Sequence, residues 1–348
     1  MNLHLLVPAL FWPDPALPEI YRDLPLPGLE NLLAKCSVTE DKSEGIEAWL
    51  CSAFGVAKQQ DWPVAPITLQ TDSGEDGEAI KTEKNHWIRA DPVHLRLERD
   101  HILLADSHIL GISLEEARQF TGLLNRHFAA NQGINLFPLR PDRWYLRLLE
   151  PTLTHTHLLS QAVNRDIRNK LPFGANNTFW RSLINEIQML LHEHPLNQTR
   201  EAHGELAINS VWFWGGGTLP ESLVSPYTNV WSNEVLAVSL ASASNITHAP
   251  LPVDATVWET SVRTGRHLVV LDELQARAQY RDAYGWRESI KEMERRWFDP
   301  LWRMFRRGQF DEITLTAPDE SSGKSFTATR SDSRKFWRRP RPLLAYGK

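Results

Sequence analysis

Apolar positions along the chain alternate between runs with a strand-like pattern and stretches with the 3.6-residue period of a helix. Leu3 to Phe11 is an almost continuous apolar run, which predicts a buried first strand. It ends at the proline-rich stretch Pro13 to Pro27, where missing N–H donors and fixed φ angles exclude regular structure. Gly28 to Lys35 (Leu29, Leu32, Leu33) and Gly45 to Phe54 (Ile46, Trp49, Leu50) carry helical spacing. Thr71 to Lys84 is acidic, glycine-bearing and poor in apolar residues, and predicts a flexible boundary. His86 to Leu104 alternates like paired strands, Ser113 and Glu116 form a capping box for a helix through Phe128, and Leu136 to Leu148 returns to strand. Asn177 to His192 places Leu183, Ile187, Leu190 and Leu191 on one helical face. Glu205 to Phe213, Val235 to Leu240 and His267 to Leu271 follow as strands. A long helix from Trp286 to Arg307, stopped by Gly308, precedes a last core strand from Phe310 to Thr316.

Strands alternating with helices predict an α/β architecture with mixed or parallel pairing. A length of 348 residues accommodates one large domain with an insertion, or two domains. Charged residues at 23% and apolar ones at 42% describe an ordinary globular chain, and a net charge of −5 argues against bulk binding to nucleic acid. Fourteen tryptophans mean that indoles build much of the core, and each buried indole N–H needs a partner. Two cysteines, Cys36 and Cys51, fit a reducing compartment, so a cytoplasmic location is expected. No run approaches the length of a membrane span, and the opening segment reads as a core strand rather than a signal peptide. Neither nucleic acid nor a membrane is expected as a partner.

The densest sequence signal lies between Leu191 and Gly217. A run of β-branched and aromatic residues (Ile208, Val211, Trp212, Phe213, Trp214) enters Gly215, Gly216 and Gly217, whose backbone can take φ > 0 or approach a neighbour closely. Around it stand His194, Pro195, Asn197, Arg200, Gly204 and Asn209 in the word HP-x-N-x-x-R…N-x-x-W-x-W-G-x-G. A second block precedes it: Arg89 and Asp91, then Ala105 to Asn125, then Gly133 to Pro138. Together these words, from about Trp87 to Gly217, resemble the archaeal-type cofactor-independent (2,3-bisphosphoglycerate-independent) phosphoglycerate mutases of the alkaline phosphatase superfamily. The chain is also similar to a divergent bacterial group named regulatory protein RpfE. The resemblance implies an alkaline-phosphatase-like core sheet flanked by helices, with an inserted α/β subdomain. The expected division is 1–84 and 176–348 for the core, the latter with a basic tail, and 85–175 for the insert.

The resemblance also implies a two-metal site, and here the chain departs from the pattern. Active relatives place an Asp-Gly turn directly after the first strand; this chain has Pro8, Ala9, Leu10 and Phe11, with no carboxylate before Asp14. The nucleophile's turn has no counterpart beyond Ser52, which falls within an expected helix. Asp272 and Asp282 stand near the next ligand block without its histidine. Asp319 and Glu320 follow the last strand, and Trp337, Arg338 and Arg339 occupy the place of the final histidine. Two-metal phosphoryl transfer needs several converging carboxylates and imidazoles, because the metals clamp the attacking and leaving oxygens.

The expectation is therefore a degenerate, non-catalytic relative that binds a small phosphorylated or anionic ligand, or a protein partner, in a regulatory role. No cofactor is expected. Arg89, Asp91, His194, Asn197, Arg200, Asn209, Trp212, Trp214, Gly215, Gly217, Arg338 and Arg339 are the candidate ligand-binding residues. Arg334, Lys335 and Arg341 add to the basic cluster, which reads equally as a solvated tail. Arg200 reads equally as a structural partner of a carboxylate. The alternative is an active metal-dependent mutase or phosphatase holding Mn²⁺ or Zn²⁺ on Asp14, Asp272, Asp282, Asp319 and Glu320. The pairs His155/His157 and His192/His194 lack the i, i+4 spacing of helical zinc sites.

Overall fold

A computed structural model describes the chain except for residues 43, 75–84, 130–133, 149–153, 263, 321–322 and 348. Gly133 and most of the expected boundary at 71–84 thus lie outside the described residues. In chain order the described strands are β1 (Asn2–Leu6), β2 (Ser37–Asp41), β3 (His86–Glu98), β4 (His101–Ala105), β5 (Asn135–Arg140), β6 (Arg143–Leu148), β7 (Thr154–His155), β8 (Phe173–Gly174), β9 (Ser210–Gly217), β10 (Asn229–Trp231), β11 (Thr247–Ala249), β12 (Arg266–Val270), β13 (Glu312–Ala317) and β14 (Gly323–Thr329). Contacts divide the chain into two units: Met1–Gly55 together with Val224–Lys348, and Val56–Leu223 between them. The insertion is wider at both ends than the expected 85–175. The reason is pairing: β9 hydrogen-bonds to β3, and the helix Val64–Asp72 lies against both strands.

The discontinuous unit holds a seven-stranded sheet in the order β11-β10-β12-β1-β13-β14-β2. The first five strands run parallel, while β14 pairs antiparallel with both β13 and β2. Leu3 and Leu5 of β1, Ile313 and Leu315 of β13 and Val269 of β12 belong to one large apolar cluster. The helix Pro27–Lys35 and the helices after Ala283 bury their own apolar faces in the same cluster. His4, Thr314 and Thr316 alternate with these residues, so the opposite face is mixed, and the Trp49 ring covers His4 edge-on at 5.0 Å.

The expected long helix after Trp286 is broken. An α-helix Ala283–Met293 passes into a π-turn Glu294–Phe298 and resumes as Asp299–Arg306. Pro300 has no N–H to give an i−4 carbonyl, and the wider turn accommodates that loss. Glu294 in this turn accepts hydrogen bonds from the backbone N–H of Gly28 (2.5 Å) and Leu29 (3.1 Å), capping a helix with no side-chain cap of its own. A Cβ at position 28 would overlap the Asp299 backbone, so glycine is required there.

Val235 to Leu240, expected as a strand, is a helix (Val235–Ala243). Its apolar run is ambiguous between the two, and Glu234 decides it by accepting from the N–H groups of Leu236 (2.9 Å) and Ala237 (2.6 Å). The first strand stops at Leu6 rather than Phe11, and the strand expected from Glu205 begins at Ser210.

In the Val56–Leu223 unit, β3 is the central strand. Its first residues pair with β6 and its last with β4, while β9 runs along the other edge. One face of this sheet carries Ile88, Ala90, Leu136, Leu146, Val211 and Phe213 against the helices Leu114–Ala129 and Asn177–His192. Trp87 and Tyr145, from alternate positions, join Ala65 and Leu69 of the helix Val64–Asp72. Among the described residues no helix is long and apolar enough to cross a membrane.

Candidate functional site

Residues Arg89, Asp91, Trp212 and Trp214 lie on adjacent antiparallel strands, with Arg89 opposite Trp214 and Asp91 opposite Trp212. The structure brings three of them into one buried network. Arg89 donates to both oxygens of Asp91, from Nε at 2.8 Å and from Nη2 at 2.7 Å. The Trp214 indole N–H donates to Asp91 at 2.7 Å. The Arg89 guanidinium carbon lies 5.1 Å from the Trp214 ring centre and 5.3 Å from that of Tyr145. Tyr145, which the sequence reading passed over, donates to Asp72 at 2.6 Å, and Arg143 grips Asp72 with Nε at 2.7 Å and Nη2 at 2.8 Å. Against the effect of burial, Arg143 and the Tyr145 hydroxyl hold Asp72 below the ordinary carboxylate range. For Asp91 burial wins over Arg89 and Trp214 and pushes the group up to about 6. The network ties the helix Val64–Asp72 to β3, β6 and β9, and its charged groups are occupied by one another.

The glycines at the end of β9 serve the same join. Between Trp87/Gly217 and Arg89/Trp214 the register slips, and Gly215 forms the bulge at φ +67°. A Cβ on Gly217 would come within 2.7 Å of Pro63 Cβ. The close approach expected of these glycines is to the start of the helix at Val64. Trp212 directs its indole N–H to the His157 carbonyl at 3.0 Å.

The remaining residues of the same word are structural in their contacts. Asn197 donates to the carbonyls of Leu191 and Ile208 and accepts from the N–H of Ile208, each at 2.8 Å. Asn209 pairs with both backbone groups of Leu95, at 2.7 and 2.9 Å, as a strand would. His194 accepts from the N–H of Leu196 at 3.1 Å at the start of the helix Pro195–Ala202, and its ring rests 4.8 Å from that of Phe120. Burial, aided by the charge of Arg126, lowers its pKa and favours the neutral ring. Arg200 is 1% exposed and donates to Glu116 at 2.6 Å, to the Leu206 carbonyl at 2.9 Å and to the Leu110 carbonyl. Glu116 in turn accepts from the N–H of Ser113, so Arg200 clamps the capping box of the helix Leu114–Ala129. Of the two readings open for Arg200, the structure shows the carboxylate partner.

The candidate metal ligands belong to the other unit. Because β12, β1 and β13 are parallel neighbours, the segments after them share one edge, the edge where open α/β sheets place ligands. Asp272 follows β12, Asp319 and Glu320 follow β13, and Glu234 follows β10. The segment after β1 has Ala9 at φ +55°, its carbonyl accepting from the Trp286 indole at 2.9 Å. Trp12 and Tyr21 pack edge-on against Trp286 at 5.8 and 5.7 Å, filling this loop with rings. Asp14 accepts from the N–H of Ala16 at 2.9 Å, and Asp282 caps its helix through Gly285 (2.8 Å) and pairs with Arg277 (2.8 Å). Ser52 is exposed near the end of the helix Ile46–Ala53.

Glu234 was missed in the sequence, although a carboxylate one short loop after a strand and directly before an apolar run is a readable N-cap signal. Burial, reinforced by the charges of Asp272 and Glu47, pushes it up to about 7. Among the described residues no group of three or more His, Cys, Asp or Glu has the geometry to hold a metal ion. In the basic tail, Arg338 donates to the carbonyls of Lys35 (3.0 Å) and Cys36 (3.1 Å), closing the end of the helix Pro27–Lys35, while Arg339 is exposed.

Comparison with known proteins agrees with this fold. No family model matches the chain. It is similar to the 2,3-bisphosphoglycerate-independent phosphoglycerate mutase of Methanosarcina barkeri, 25% identical over 142 residues, covering 40% of this chain and 35% of that protein. The Methanosarcina mazei enzyme of the same description is 28% identical over 128 residues, 37% of this chain and 28% of the relative. The matches thus span about a third of the relatives' lengths. In fold, the PH0037 protein from Pyrococcus horikoshii superposes over 94% of this chain and 87% of its own, with a TM-score of 0.55 and 12% identity. Over part of its length the chain is thus similar to 2,3-bisphosphoglycerate-independent phosphoglycerate mutases, and it shares with the PH0037 protein an α/β fold whose central sheet is flanked by helices.

Proposed function

We propose that this protein is a phosphoglycerate mutase-like scaffold that does not perform two-metal phosphoryl transfer and acts by binding, in a regulatory role. One observation carries the reading. The turn after β1, where the resemblance calls for the first metal ligand, is Pro8-Ala9-Leu10-Phe11, sealed by the Trp286 indole on the Ala9 carbonyl. Asp14, the first carboxylate after the strand, lies eight residues beyond Leu6 and accepts from the N–H of Ala16 in its own turn. The arginines that would neutralise a small phosphate also speak against a ligand at those positions, since Arg89, Arg200 and Arg338 are all turned to internal acceptors. The reading therefore favours a macromolecular partner over a small phosphorylated metabolite.

A second reading has one observation in its favour. The charges of Asp272 and Glu47 both act on Glu234, which follows β10, and a divalent cation beside it would relieve that repulsion. Turnover separates the two. Interconversion of 3- and 2-phosphoglycerate, and phosphatase activity, measured with added Mn²⁺ or Zn²⁺, are expected to be absent. Metal-dependent turnover that disappears in Asp272→Asn or Asp319→Asn would sink the first reading.

A further inference from the structure

The segment from Arg330 to Arg341 holds six cations and one carboxylate, in a chain whose net charge is −5. At its centre Phe336 is 86% exposed and Trp337 64% exposed. Their rings meet edge-on, 5.3 Å apart at 83°. Two adjacent bare rings of this size lose apolar contact to water unless something covers them.

This tip is held firmly from below. Lys35 donates to the carbonyls of Lys335 (2.8 Å) and Arg338 (2.7 Å), which flank the two aromatic residues on either side. Arg338 returns bonds to the end of the same helix, and Lys335 pairs with Asp332 in the capped turn Arg330–Arg334. Downstream, Pro340 and Pro342 restrict the backbone, the N–H of Arg341 donates to the Tyr346 hydroxyl at 3.2 Å, and that of Leu343 donates to Glu30 at 3.1 Å. Lys335 and Arg338 thus serve the fold. Arg334, Arg339 and Arg341 remain exposed around the rings, with Arg341 lying over Tyr346 at 5.1 Å.

We propose that the loop Ser333–Pro342 docks the protein onto the surface of an anionic lipid membrane. Phe336 and Trp337 enter the boundary between headgroups and acyl chains, and Arg334, Arg339 and Arg341 meet lipid phosphates. Aromatic rings favour that boundary, and exposed arginines near an anionic surface each strengthen binding by about fivefold. The charge of the loop, opposite to that of the whole chain, orients it toward such a surface. Perpendicular rings offer no parallel platform for stacked bases, and two adjacent exposed rings suit a deformable apolar boundary. Because the loop is already ordered by Lys35 and the two prolines, little conformational entropy is lost on docking. The contact is with the surface and requires no spanning helix.

The test is cosedimentation of the full chain with vesicles of phosphatidylcholine containing about one third phosphatidylglycerol, against pure phosphatidylcholine, at low and high salt. The expected result is binding to the anionic vesicles that weakens with salt. Substituting Arg334, Arg339 and Arg341 together by Gln lowers it roughly a hundredfold, and F336S/W337S lowers it at least about tenfold. All five side chains are exposed, so both variants keep the parent's fold by circular dichroism, with only a small drop in melting temperature where Arg341 leaves the Tyr346 ring. No binding to anionic vesicles, or binding untouched by F336S/W337S, overturns the proposal. So does loop-dependent binding of a single-stranded oligonucleotide or of polyglutamate by a protein that leaves the vesicles unbound.

Discussion

Asp91 and Glu234 are both carboxylates that burial pushes upward, to about 6 and about 7, yet their surroundings are opposite. Asp91 is met by a bidentate arginine and an indole N–H, and its neighbours Tyr145, Asp72 and Arg143 are likewise paired. Glu234 accepts from the N–H groups of Leu236 and Ala237 in its own helix, and faces the like charges of Asp272 and Glu47. The first region belongs to the segment whose words resemble the mutases, and it spends its polar groups on holding a helix to a sheet. The second lies at the sheet edge where open α/β sheets place ligands, the same edge as the loop after β1 that Trp12, Tyr21 and Trp286 fill with rings. Fold likeness does not by itself carry activity across.

The comparison is broken most forcefully at Arg89. Arg89→Ala leaves Asp91 buried without its partner and is expected to cost about 3–5 kcal/mol in urea unfolding of the Val56–Leu223 unit. A change below about 1 kcal/mol would mean the network is not what holds the helix. Arg200→Ala removes the clamp on Glu116 and two carbonyls and should cost about 2–3 kcal/mol. A ligand-binding Arg200 would leave stability almost unchanged. Gly217→Ala forces a methyl against Pro63, for an expected loss of about 1–3 kcal/mol.

At the sheet edge the expected effect is smaller and depends on pH. The folded pKa of Glu234, about 7, lies above its ordinary 4.5, so the folded state holds the proton more tightly than the unfolded one. Its contribution is then most favourable at low pH and is lost as pH rises from 4.5 toward about 7. Glu234→Gln should remove roughly 1–2 kcal/mol of that decline, after allowance for solvent screening, and flatten the stability profile across the window. An unchanged profile would show that the crowding of carboxylates is not felt there.

Much of the fold is legible in the sequence wherever one face of an element is plainly apolar. Leu183, Ile187 and Leu191 mark the helix Asn177–His192, and Ser113 with Glu116 marks the next helix start by its cap. Short apolar runs are less decisive, and Val235 to Leu240 became a helix because Glu234 caps it. The helix Val64–Asp72 is buried on nearly all sides, polar Thr68 and Asp72 included, and has no side-chain cap, so it offers no clear period to read. The site residues are legible as a cluster but not in their roles. Arg89, Asp91 and Trp214 do come together, yet whether they face a ligand or each other depends on Tyr145, Asp72 and Arg143, which nothing local in the sequence links to them. For Arg200 the carboxylate partner could be guessed, but its identity as Glu116, 84 residues away, could not.

The central claim is that the edge beyond β1, β12 and β13 no longer forms a two-metal site. Equilibrium binding of Mn²⁺ and Zn²⁺ to the purified chain, with and without 3-phosphoglycerate, tests it most directly. The account predicts no stoichiometric binding in either condition. Tight binding of two ions per chain, weakened by Asp272→Asn and strengthened by 3-phosphoglycerate, would contradict it.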